Sequence, residues 1–226
     1  PLTFAPRVNP DGPVPAEGTG PYVFRCAGRI FFAHIPEKSR IFEHRTTSKH
    51  TDIMLSQKLT DALNAQVNAE FWSAYLYLSM SLDASAKGHK GVANWFQVQF
   101  QEEQAHARIL MNHMLARGAA VKLAPIAEVP TSWESPLAMF AETLVHERKV
   151  TSMIENLCAV AAEEKDFAVS NMLVWFVNEQ VEEEESAQEM IAAFEAVEGN
   201  KFGLYMLDKE LAARTYVEPS PLAAKE

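Results

Sequence analysis

Glu103 and His106 stand three residues apart in the stretch QEEQAHA, residues 101–107, with Phe96, Phe100, Ile109 and Leu110 around them. Residues three and four apart share one face of a helix. A carboxylate and an imidazole therefore fall on a face that is otherwise apolar. A buried charge is costly unless it is paired or bound. The pair lies on a solvated face or it holds a ligand. One E-x-x-H does not decide, because a solvated face accounts for most such pairs.

Three further helical stripes supply the rest. The first helix gives Leu59, Leu63, Val67, Glu70, Ala74 and Tyr77; the second, Val92, Phe96, Gln99, Glu103, His106 and Leu110. The third gives Phe140, Leu144, Glu147, Val150, Ile154 and Cys158; the fourth, Leu173, Phe176, Gln180, Glu183, Ala187, Met190 and Phe194. Each stripe carries a glutamate near its middle. Four buried carboxylates cannot all stay ionised side by side without cations. Two divalent or trivalent ions would neutralise them, and oxygen-rich ligation with one imidazole suits iron or manganese. Di-iron carboxylate bundles take one Glu from each of two helices and an E-x-x-H from each of the other two. Here Gln180-x-x-Glu183 replaces the second E-x-x-H. The expected centre is one firm ion at Glu70, Glu103 and His106. A second, with weaker ligands at Glu147, Glu183 and Gln180, is bridged through Glu103. Such asymmetry suits iron in transit better than a permanent cofactor.

Proline spacing shows which elements position these residues. Seven of the twelve prolines lie in residues 1–36, three at 125–136, and none in 37–124 or 137–218. Proline breaks helix interiors, so each gap has room for a helical hairpin. The first gap divides at KGHKG (87–91), a glycine-marked turn, and the second near AEEKDF (162–167). The expected helices are 53–85, 91–117, 137–163 and 167–197, with a crossover at 118–136 and a short terminal helix at 204–214 after EGNKFG. Residues 1–50 are Pro/Gly-rich without helical period and are expected to be a weakly ordered extension, even upstream sequence that the functional protein lacks. Within them RIFFAHIP suits a short strand or a docking segment. The domain is expected at 51–226, with Met54 opening its first periodic segment.

Composition narrows the class. The 226 residues are 48% hydrophobic and 22% charged, as in a globular protein. No apolar run approaches the ~18 residues of a membrane helix, and neither a secretory signal nor an amphipathic transit peptide is legible. Net charge is -10, split as +3 over residues 1–50 and -13 over residues 51–226. An acidic body disfavours nucleic acid and favours cations. Cys26 and Cys158 alone make no disulfide framework or thiolate cluster, which fits a reducing, cytoplasmic setting.

These motifs resemble the non-haem ferritins of bacteria over about residues 54–214. LTDALNAQVNAEFWSAYLYLSMS (59–81) resembles the family's first helix, QEEQAHA its E-E-x-x-H motif, and HE (146–147) its third-helix ligand. NEQVEEEE (178–185) resembles its E-Q-x-E-E segment, and GLYMLDKELA (203–212) its terminal helix. The resemblance implies an all-α, ferritin-like four-helix bundle with one long crossover and a short C-terminal fifth helix. It implies a ferroxidase centre of Glu70, Glu103, His106, Glu147, Glu183 and Gln180, with Tyr77 beside it. Glu102, Glu179 and Glu182, with Glu183, match a third, inner iron site. The implied activity is oxidation of Fe²⁺ by O₂ (or H₂O₂) and storage of ferric mineral in a homo-oligomeric cage of 24 subunits. Bacterioferritins carry a haem-ligating methionine where this chain has Gln104, so no haem is expected.

Three other readings compete. A di-iron oxidase or peroxidase of the rubrerythrin or bacterioferritin type would keep its metals, but Gln180 and the terminal helix speak against it. A metal-free bundle leaves four mid-helix carboxylates unexplained. A small DNA-protecting cage would place its ligands at a dimer interface. Among the other residues, Cys158 reads as a buried thiol, His113 as a packing or interface residue, and His146 as surface or support. His89 falls in a turn, and His34, His44 and His50 lie in the extension. Glu163, Glu164 and Asp166 are candidates for the path of incoming iron.

Overall fold

A computed structural model describes residues 22–26, 29–33 and 54–223. The chain divides into two compact units, Pro1–Lys49 and His50–Glu226. In the first, β1 (Tyr22–Cys26) and β2 (Arg29–Ala33) pair antiparallel, with Phe24 opposite Phe31. β2 is the short strand read in RIFFAHIP; β1, from the Pro/Gly-rich run, was not anticipated. The order expected of the remaining extension, and His34, His44 and His50, lie outside the described residues.

The second unit contains α1 (Gln57–Ala86), α2 (Lys90–Ala116), α3 (Pro136–Glu163), α4 (Phe167–Ala196) and α5 (Lys201–Leu211). α1 packs along α2, α3 along α4, α1 against α3, and α5 against α2. This unit is the all-α bundle with a long crossover and short fifth helix that the sequence predicts. Among the described residues no helix is long and apolar enough to cross a membrane.

The helices start where local chemistry requires. Ser56 accepts from the Leu59 amide at 3.2 Å, Ser135 from Ala138 at 3.1 Å ahead of Pro136, and Asp166 from Val169 at 3.0 Å. Such caps satisfy amides that the helix leaves unpaired. α5 begins three residues earlier than its period suggested, because Asn200 caps it by accepting from Gly203 at 3.0 Å. EGNKFG is thus a terminator and an initiator together.

α2 has no side-chain cap of its own. Asp208 of α5 supplies one, accepting from the amides of Gly91 at 2.9 Å and Val92 at 3.0 Å. The approach is so close that a Cβ at Gly91 would lie 1.6 Å from the Asp208 carbonyl oxygen. The crossover is strapped to the outer face of α1 in a similar way. Asn64 donates to Ala120 O at 3.1 Å and accepts from Lys122 N at 2.7 Å. Ser79 bonds Pro130 O at 2.6 Å and Asp83 accepts from Trp133 N at 3.0 Å.

The core has three storeys. One apolar cluster gathers Leu59, Leu63, Leu110, Ile154, Leu173 and Phe176. Another gathers Tyr77, Met80, Trp95, Phe96, Phe140 and Phe194. Between them along every helix lie buried polar residues, including Glu70, Glu103, His106, Glu147, Gln180 and Glu183. The α3 stripe departs in detail from expectation. Thr143 and Leu157 take the buried positions, leaving Leu144 and Cys158 half-buried, so Cys158 is not a core thiol. A side chain one position off the stripe is rotated by 100°, enough to reach the rim.

The Gly91 contact yields a test. Gly91→Ala must displace α5, and strain of this kind costs about 1–3 kcal/mol. Amide exchange should speed up in α5 and the first turn of α2 while the middle of the bundle stays protected.

Candidate metal centre

The middle storey is assembled from all four long helices. α1 contributes Gln66, Glu70 and Ser73; α2, Gln99, Glu103 and His106; α3, Thr143 and Glu147; α4, Gln180 and Glu183, all buried. Glu70, Glu103 and His106 each offer a ligand atom within 4.8 Å of the others. This is the trio expected for the first ion. Nδ1 of His106 lies 3.5 Å from Glu103 Oε2.

A second trio, His106, Glu179 and Glu183, meets the same criterion of 4.8 Å. Nε2 of His106 is buried, has no hydrogen-bond partner, and lies 3.8 Å from Glu179 Oε1. Glu147 belongs to neither trio. Its Oε1 accepts from the Tyr77 hydroxyl and its Oε2 from Gln180 Nε2 at 3.3 Å. Glu183 Oε2 accepts from Gln99 Nε2 at 2.8 Å, and Glu70 Oε1 from Gln66 Nε2 at 3.0 Å.

Of the residues expected at an inner third site, Glu179 faces His106 and Glu182 is exposed. Glu102 is half-buried and ion-paired with Arg214 at 2.7 Å. Glu102 and Glu182 stand outside both trios.

The donors Gln66 and Gln99 and the cation Arg214 had no role in the sequence reading. The two glutamines carried a signal, since each precedes a core glutamate by one helical turn. Arg214 carried none, because its partners are more than a hundred residues away.

His146 supports the storey from outside. Burial, then Lys149, lowers its pKa to about 4, so the ring is neutral. Its Nε2 lies 2.8 Å from Ser73 Oγ and its ring 6.0 Å from that of Tyr77. His113 is half-buried with an unpartnered Nε2, and His89 is the N-cap residue of α2. Of the acidic residues near the α3–α4 turn, Asp166 caps α4 and receives both Arg117 nitrogens at 3.0 and 2.8 Å. Glu163 pairs with Lys58 at 2.5 Å.

Burial dominates the electrostatics of the centre. It pushes Glu103 well above the ordinary carboxylate range despite His106. It raises Glu183 to about 8, reinforced by Glu147. It raises Glu147 to about 7, although hydrogen bonds from Tyr77 and Gln180 pull the other way. Burial opposes the His106 cation, but Glu103 and its neighbours leave the imidazole well above its usual value. Tyr77, buried beside Glu147, stays protonated far above its usual range. Free of cations, the centre therefore holds protons at neutral pH. Carboxylates and a neutral imidazole are what a hard or borderline cation requires. The donor set fits iron, and the unpartnered His106 Nε2 beside Glu179 has the carboxylate–histidine arrangement that orients a metal-ligating ring.

A pH dependence follows. Glu147 and Glu183 bind protons more tightly folded than unfolded, so their contribution to stability is fullest below about pH 4.5. It is lost as pH rises through about 7 and 8. Metal-free protein should lose resistance to urea between pH 6 and about 8.5, and Glu183→Gln should reduce that loss. Denaturant midpoints across this range check it; an unchanged slope in the variant would contradict the assignment of the buried proton.

An antiparallel four-helix bundle whose middle is a layer of carboxylates and one histidine defines the ferritin-like class of helical proteins. The family model for the ferritin-like domain matches residues 60–197, and the chain belongs to the ferritin family. The bacterial non-haem ferritin of Bacteroides fragilis is 40% identical over 161 residues, covering 71% of this chain and 100% of that protein. That of Staphylococcus aureus is 34% identical over 165 residues, covering 73% and 99%. The open-pore ferritin of the hyperthermophilic archaeon Archaeoglobus fulgidus is 46% identical with a TM-score of 0.70, over 71% of this chain and 99% of that one.

Proposed function

We propose that this chain is an iron-storing ferroxidase, the function its family membership and its buried carboxylate layer together support best. Fe²⁺ is the substrate, and the ferric product is stored as oxyhydroxide inside a cage of 24 copies. The observation that carries this reading is one buried glutamate per long helix, in a layer walled by apolar clusters, with His106 among them. Such a layer is unstable when ionised and empty, and stable when cations fill it.

Glu70, Glu103 and His106 hold the first Fe²⁺. Glu147, Glu183 and Gln180 hold the second, with Glu103 shared between the two. Filling the centre drives protons off Glu103, Glu147, Glu183 and the His106 Nδ1, because each must present a lone pair. The His106 proton then sits on Nε2, facing Glu179, which fixes the ring. Two Fe²⁺ each give up one electron to an oxidant of the O₂ or H₂O₂ type, and protons released from the carboxylates offset the charge that develops on reduced oxygen. Tyr77 keeps its proton and orients Glu147.

Gln180-x-x-Glu183 brings a neutral amide and a carboxylate where a second E-x-x-H would bring a carboxylate and an imidazole. The amide is a weaker ligand than an imidazole, so the second ion leaves more readily, as a storage protein requires and a resident cofactor does not. The acidic body of residues 51–226, at -13, attracts Fe²⁺ and nucleates mineral. That domain works without nucleic acid or membrane, in the cytoplasm, with residues 1–50 as an extension from it.

Aerobic addition of excess Fe²⁺ followed by size-exclusion chromatography tests the proposal. Many soluble iron ions per chain should elute with a very large particle; two per chain on a dimer would favour a metal-retaining oxidase. Glu103→Ala should lower the rate of fast oxidation by about 100-fold or more, a loss of roughly 3 kcal/mol or more in transition-state stabilisation. A surviving rate would remove Glu103 from the centre.

A further inference from the structure

After α5 the chain turns back along α2. Asn94 Nδ2 donates to the carbonyls of Leu211 at 3.1 Å and Arg214 at 2.9 Å, which anchors the backbone of the return. The Arg214 guanidinium then lies over Trp95, 4.5 Å from the ring centroid, and Nη1 donates to Trp95 O at 3.2 Å. Its Nη2 donates to Gln99 Oε1 at 2.6 Å and to Glu102 Oε2 at 2.7 Å. Stacking and three hydrogen-bonding partners on one helix make this a positioned cation rather than a solvated surface arginine.

Arginine only donates hydrogen bonds. Gln99 must therefore turn its carbonyl to Arg214, which leaves its amide nitrogen for Glu183 Oε2 at 2.8 Å. One guanidinium thus neutralises Glu102 and, through Gln99, fixes the orientation of a carboxylate in the centre. A divalent ion approaching Glu102 would have to break the ion pair. The guanidinium itself stays charged at every relevant pH.

Resting on the di-iron reading above, we infer that Arg214 sets the ion count of the centre: its guanidinium stands at Glu102 in place of a third Fe²⁺ and limits the chain to two. Glu179 and Glu183 lie close enough to Glu102 for its carboxylate to interact with both, so they are the groups that would share a third ion with it once the guanidinium is gone; Glu182 is exposed. Arg214 is a positioning residue, not a ligand.

Anaerobic Fe²⁺ titration of the full assembly by equilibrium dialysis reads this directly, without turnover. The wild-type chain should bind two ions tightly. Arg214→Gln should bind three, and the double variant Arg214→Gln/Glu102→Gln should return to two. Arg214→Lys, which keeps a positive charge beside Glu102, should also stay at two. Glu102→Gln alone should bind two, and this arm decides even if Arg214→Gln fails to assemble. A wild-type count of three that falls to two in Glu102→Gln overturns the inference. So does a count of two in Arg214→Gln with native helix content and assembly size. A wild-type count below two removes the di-iron reading and this inference with it.

Discussion

The structure depends on the cost of burying four carboxylates at one level of a helical bundle. Each is removed from water, and each raises the cost of ionising the others. Apolar clusters above and below close the layer to solvent. The helices are long for this reason. At 30, 27, 28 and 30 residues, α1 to α4 can carry several apolar turns on both sides of the polar one. The apolar turns offset the desolvation of the centre, and the centre gives up stability that an apolar middle would have retained.

That layer needs its helices held in register, and the fastening comes largely from polar contacts at the periphery. Asp208 caps α2 from another helix, Asn64 and Asp83 strap the crossover onto α1, and Arg117 ties the end of α2 to the start of α4 through Asp166. In each case a side chain satisfies a backbone group or opposing charge left open by a helix end or a loop. A shift of one helix by a residue would rotate its glutamate out of the centre by 100°. The caps therefore act on the same coordinate as the ligand geometry, although they lie far from it.

Much of this was legible in the sequence. Proline-free windows bounded the four helices to within a few residues, and a 3.6-residue period identified Glu70, Glu103, Glu147 and Glu183 as core residues because burial of an apolar stripe is a local, periodic signal. The start of α5 was misplaced because Asn200 caps it, so that EGNKFG begins α5 as well as ending α4. Cys158 and Leu144 were assigned to a stripe that passes through Leu157 and Thr143 instead. What the sequence withheld was long-range pairing. Nothing local marks Arg214 as the partner of Glu102, or Asp208 as the cap of Gly91, since these contacts exist only once the fifth helix has docked. The run Glu182–Glu185 was bounded by geometry alone: one helix cannot turn four consecutive residues inward, and of the four only Glu183 is buried.

On the proposed reading, the centre exchanges cations rather than keeping them. Without ions, the raised pKa values of Glu147 and Glu183 leave protons in the layer, and these neutralise the same charges that divalent ions would. Protons and ions therefore compete for one set of oxygens, so loading and release are coupled to small changes around neutral pH. Gln180 contributes a neutral amide beside Glu147 where a second E-x-x-H would have placed a carboxylate. This weakens one half of the site without disturbing the packing around it. A centre so divided gives an ion a shallow second position next to a deep first one. Passage through it then follows from the unequal depth of the two positions and needs no moving part.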